Sequence, residues 1–256
     1  MGSRSLPGRI QATLRGRLPN AVIAWARHAA TAFTEQLDDC HAVPHRTVVE
    51  PLARALGFSA VRRDLLGNVL DLLQTAFDVA DNVADWPEDA GRQRRYTRHY
   101  RGIPAAALVC LPALLVGATI EILHEAFPAP EFSTPLAGQR LLQALGAMAV
   151  GQGTPTGARH VALVSGRQGS LLCLPAWLVA GSDARWRRRL AAVESWAYRF
   201  GQTWEYRQAH AERPSPASTR ALARAMLAAR RAWPEFSPFR PGEALAEDAL
   251  VRPAVC

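Results

Sequence analysis

The chain has 256 residues and a formal charge of +8, from 30 basic against 22 acidic side chains, and every basic residue is arginine. A chain of this length can bury one substantial core, while the absence of lysine excludes Schiff-base and lysine-nucleophile chemistry. The positive surplus raises the question of nucleic acid, but the arginines are scattered without aromatic interleaving or a zinc-finger or RNP-type pattern, so no nucleic-acid partner is expected.

Cys40, Cys110, Cys173 and Cys256 lie far apart and form no metal-type pair. With no signal-peptide pattern at the amino terminus, a reduced, cytoplasmic setting is expected. No segment alternates with a period of two. Several stretches of 3.6-residue periodicity separated by Pro and Gly predict an all-α fold. We read residues 1–19 as a basic, Pro/Gly-interrupted lead-in, 20–233 as one helical domain, and 234–256 as a Pro-rich tail.

In chain order, Asn20 is a plausible N-cap for a helix from about Ala21 to Leu37, with Ile23, Ala26, Ala30, Phe33 and Leu37 on one stripe. Pro44-His45-Arg46 breaks the chain, and a short helix follows to Leu56, ended by Gly57. A central helix runs from about Val61 to Trp86. It carries acids at Asp78, Asp81 and Asp85, a spacing that places them on one face. A carboxylate row on a largely apolar helix is costly unless something positive neutralises it. Magnesium does this well, since it prefers oxygen and is held by one or two carboxylates plus phosphates; the alternative is a solvated edge of an amphipathic helix. Pro87 to Arg101 is an arginine-dense connection. The run Ile103–Ile120 has no charge and touches the threshold for a membrane span. Pro104, Pro112 and its alanines point instead to a buried helix, with no transmembrane segment. Pro128 and Pro130 mark the next connection, a helix from about Pro135 to Val150 follows, and another from Ser218 to Trp233 closes the domain.

Gln74-Thr75-Ala76, four residues, then Asp81-Asn82-Val83-Ala84-Asp85 resembles the first aspartate-rich motif of the trans-isoprenyl diphosphate synthases (polyprenyl synthetases), with Asn82 in place of the middle acid. Matches follow in order: Gly151-Gln152, and Arg167-Gln168-Gly169-Ser170-Leu171 where the family has Lys-Thr-Gly-x-Leu. The resemblance implies a single bundle of roughly ten mostly antiparallel helices around a central apolar cavity. It implies magnesium at Asp81 and Asp85, and a prenyl diphosphate whose leaving group meets Arg167, with Gln168 supplying a dipole near the cation. Arg46, Arg94 and Arg95 become candidate diphosphate contacts, and Asp78 and Gln152 join them as candidate substrate-binding residues. Phe77, one turn below Asp81, either limits prenyl chain length or simply packs in the core; the arginines of the 87–101 connection either grip diphosphate or are a solvated charge run.

The chain departs from the family at the second aspartate-rich motif. Near Phe200–Gln208, Gln208 and Ala209 stand where acids belong, leaving Glu205 and Glu212 as candidates for part of the lost charge. Three readings therefore remain: a prenyltransferase or related coupling or cyclising enzyme, a non-catalytic prenyl-diphosphate-binding or partner subunit, and an unrelated helical nucleic-acid or scaffold protein. A homodimer, or a heterodimer with an active synthase, is the assembly the resemblance implies.

Overall fold

The computed structural model describes residues 5–39, 45–85, 100–152, 169–181 and 184–212, without the side chains of 36–39, 84, 85, 152 and 202–212. Among the described residues all regular structure is helical, as expected of an all-α chain. The eight α-helices are α1 (Leu6–Leu14), α2 (Asn20–Asp39), α3 (His45–Ala55), α4 (Ala60–Asp85), α5 (Ala105–Ala126), α6 (Thr134–Gln152), α7 (Leu174–Ala180) and α8 (Ala184–Glu212), with a 3-10 turn at Leu171–Cys173. They fall into two compact units, residues 1–46 with 64–126, and 47–63 with 127–256. The helix expected at 218–233 and the tail at 234–256 lie outside the described residues.

In the first unit, residues 6–14 differ from the expected loose lead-in. Leu6, Ile10 and Leu14, spaced four apart, are buried along one side of α1, which packs on α2. Pro7 is harmless in the first turn, where its missing N–H would find no helical partner. α2 buries Ile23, Ala26, Ala30 and Phe33, four residues of the expected stripe, while the side chain of Leu37 lies outside the described ones. α5 buries only one side, through Leu108, Leu111, Leu115, Ala118, Ile122 and Leu123. In its most apolar 18-residue window 39% is buried, less than the buried helix expected. It is long and apolar enough to cross a membrane, and among the described residues no second helix is.

In the second unit, α3 stops where Gly57 predicted. Gly57 adopts φ +82 and its N–H donates to the Arg54 carbonyl, while the Phe58 N–H donates to Ala53, the paired bonds of a Schellman ending. Phe58 then stacks on Phe132 and meets Phe127 edge-on, with centroids 5.8 and 5.9 Å apart. Arg62 covers Phe132 at 4.5 Å and pairs with Glu131. α7 packs on α6 and α8, and the Ser133 N–H donates to the Leu178 carbonyl at 2.7 Å. Gly169 comes so close to α8 that an added Cβ would lie 2.6 Å from Gly201 Cα.

Candidate functional site

A polar line runs the length of α4: Asp64, Asn68, Asp71, Thr75, Asp78, Asn82 and Asp85, alternately four and three residues apart. Its acids recur every seven residues, which keeps them on one slowly drifting line of a 3.6-residue helix. Leu66, Val69, Leu70, Leu72, Leu73, Ala76 and Val79 fill the rest of the same stretch and are buried. The middle of the acidic line is therefore enclosed too: Asp71 is 2% exposed and Asp78 8%. Charges so placed need partners.

Asp71 receives two arginines. Arg9 of α1 donates through Nε to Oδ2 at 2.8 Å, and Arg46 at the start of α3 donates through Nη1 to the same oxygen at 3.3 Å. Arg46 also donates to Asn68 Oδ1 at 2.7 Å and pairs with Asp64, so three α4 acceptors hold one guanidinium. Gly67 makes this possible, because a Cβ there would stand 2.8 Å from Arg46 Cγ. Next door the His45 N–H donates to Gln74 Oε1 at 3.1 Å, and the Gln74 amide meets His45 Nδ1. Burial raises the Asp71 carboxyl above its ordinary pKa, and the hydrogen bond and charge of Arg9, then those of Arg46, offset only part of that.

Toward the other end, Tyr100 donates its hydroxyl to Asp78 Oδ2 at 3.2 Å, and Asn82 donates its amide to the Asp78 carbonyl at 2.8 Å. Asp81 is half-buried, and so is Phe77 one turn before it. The described part of α4 reaches Asp85, and its last turn holds no basic residue.

Of the residues singled out from sequence, the structure thus brings Arg46 into a cluster with Asp64, Asn68 and Asp71, and binds Asp78 to Tyr100. Arg94, Arg95, Arg167 and Gln168 lie outside the described residues. Asp85, Gln152, Glu205 and Glu212 have helical backbones, but their side chains also lie outside. Among the described residues no three His, Cys, Asp or Glu side chains converge as a metal cage. Magnesium asks for less, one or two carboxylates with water and phosphate completing its shell. A pocket of about 430 Å³ lies in the first unit, lined by Thr13, Arg17, Leu65, Asn68, Ile122 and Glu125 among others; it shares Asn68 with the polar line, and none of the sequence candidates lines it.

Asp71 and Arg9 are not among the residues the sequence singles out. The signal was present as aspartates at 64, 71, 78 and 85, although nothing in the sequence names Arg9 as the partner. No family model, curated protein or solved structure matches the chain.

Proposed function

We propose that the chain binds a prenyl diphosphate at the carboxyl-terminal end of α4 and ionises it for prenyl transfer, coupling or cyclisation. The observation that carries this reading is the composition of the last turn of α4, where Asp81 and Asp85 are four residues apart and no basic residue belongs to the turn itself. The order of the matching motifs, from Gln74-Thr75-Ala76 to Gly169, supports the same assignment. Asp81 and Asp85 would hold magnesium, which when bound neutralises the diphosphate and assists its departure.

The chain's own residues supply the rest. Asp78 is oriented by Tyr100 and lends negative charge one turn before Asp81 without being the terminal ligand. Asn82 bonds back to the Asp78 carbonyl, so the place of the family's middle acid serves the helix backbone instead. Phe77, half-buried one turn from Asp81, would meet the first carbons of an apolar tail in this reading. Cytoplasmic residence fits four cysteines with no paired spacing.

The test is release of inorganic diphosphate from geranyl or farnesyl diphosphate with and without magnesium. We expect metal-dependent release, lowered more than about 100-fold by Asp81→Ala or Asp85→Ala, since even outer partners of a bound metal are worth 10–100-fold. Release that survives both substitutions removes the metal assignment. A second reading is favoured by one specific feature, Gln208 and Ala209 in α8 where acids belong: a binding or partner subunit without turnover. Tight, magnesium-dependent binding of farnesyl diphosphate with no diphosphate release selects it.

A further inference from the structure

We propose that the cleft between α1, α4 and α5 binds a small organic cation, an ammonium group carried on a short apolar body. This stands independently of the prenyl diphosphate reading. The cleft encloses about 430 Å³, within the range of small-molecule sites. Its walls all belong to the first unit: Thr13 and Arg17 come from α1 and the turn after it, Leu65 and Asn68 from α4, and Ile122 and Glu125 from α5. Ile122 is buried and Leu65 half-buried, and they give the cleft its apolar part.

Charge selects the ligand. Arg17 is the one basic residue among those lining the cleft, and two carboxylates already share it. Its Nη2 donates to Glu125 Oε2 at 2.5 Å, and its Nη1 lies 3.5 Å from Glu121. The trio therefore carries net negative charge, and an incoming anion would have to displace a glutamate from Arg17. The Arg17 hydrogen bond also holds the Glu125 carboxyl below its ordinary pKa, so the group stays ionised at neutral pH. α5 ends at Ala126, which lines the cleft as well, and the carbonyl end of a helix adds partial negative charge there.

An ammonium has three donors and no acceptor, and the lining residues keep acceptors for it. Glu125 Oε1 and the Thr13 hydroxyl have no hydrogen-bond partner among the described residues. Asn68 Oδ1 takes Arg46 on one lone pair, at 2.7 Å, and has a second. A bare metal ion suits the place less well, because among the described residues no three His, Cys, Asp or Glu side chains converge. Leu65 and Ile122 would instead cover an apolar body attached to the ammonium.

Isothermal titration calorimetry of the full chain with 2-phenylethylamine, a cation at neutral pH, tests the proposal. We expect saturable binding that weakens about tenfold with Glu125→Gln, the worth of one charge-assisted hydrogen bond. Arg17→Gln should tighten binding, because it removes the cation that competes for Glu125. An ion pair that served folding alone would move both variants the same way, so the opposite signs are the signature. Ala12→Trp fills the cleft from an exposed position on α1 and should abolish binding with far-UV circular dichroism unchanged. If that variant disturbs folding, the Arg17 and Glu125 variants still decide. Neutral 2-phenylethanol should bind about tenfold more weakly than the amine, and 3-phenylpropionate more weakly still. No saturable binding of the amine overturns the proposal, as do equal binding of the alcohol, preference for the propionate, or weakening by Arg17→Gln.

Discussion

Asp71 sits between two guanidinium groups, yet burial still holds its carboxyl pKa above the ordinary value. The consequence for stability has a definite sign. A carboxyl whose folded pKa exceeds its unfolded one keeps its proton longer in the native state, so its contribution is fully present below the unfolded value and is lost as pH rises through the folded one. Urea midpoints followed from acid toward neutral pH should therefore show a declining component that Asp71→Asn removes. Asp71→Ala goes further, because it strips an acceptor from Arg9 and Arg46 while both remain partly enclosed. Breaking a buried pair from one side costs about 3–5 kcal/mol. The arginines here keep some water contact, so about 2–3 kcal/mol is the expected loss in urea unfolding. Arg46 was legible as a basic residue at a functional-looking place. Its three partners were not, since they lie 18 to 25 residues away on another helix.

Glycines decide how closely elements approach. Gly67 leaves the notch on α4 in which the Arg46 side chain lies, and Gly169 meets α8 backbone to backbone. The two clashes differ in kind. At Gly67 the obstacle is a flexible side chain, so Gly67→Ala should displace Arg46 and weaken its bonds to Asn68 and Asp71, costing about 1–2 kcal/mol net of the helix propensity gained. At Gly169 the obstacle is the backbone around Ala197 and Gly201, which cannot swing away. Gly169→Ala should therefore cost more, about 3 kcal/mol or above, by the overpacking mechanism. Thermal unfolding of the two variants side by side tests the ranking; an equal or reversed order would contradict the packing described for α8. Helix α4 was the most legible element, predicted from Val61 to Trp86 and found from Ala60 to Asp85. Its long apolar periodicity announces itself without tertiary help. Helix α1 was missed because Pro7, Gly8 and three arginines mask a stripe of only three apolar residues, Leu6, Ile10 and Leu14, whose burial depends on α2.

At the scale of the whole chain, the surplus of +8 is carried wholly by arginine. Many of those arginines are already engaged: Arg9, Arg17, Arg46, Arg54, Arg62, Arg63 and Arg140 each pair with an acid. Binding to duplex DNA should then be weak, without sequence preference, and largely abolished between about 50 and 200 mM salt, as expected of diffuse phosphate attraction alone. Sequence-selective retention at physiological salt would speak for a dedicated nucleic-acid surface instead. By itself the sequence determined the helical class, most helix boundaries and the acidic end of α4, because helix periodicity, Gly57 as a stop and the spacing of Asp81 and Asp85 are local properties of neighbouring residues. Only the tertiary structure decided that Asp71 is the enclosed acid, that Arg9 and Arg46 converge on it, and that α5 turns half of its apolar surface outward. Those facts depend on which distant segments meet, and a charge or a methyl group reveals its cost only when the surface packed against it is known.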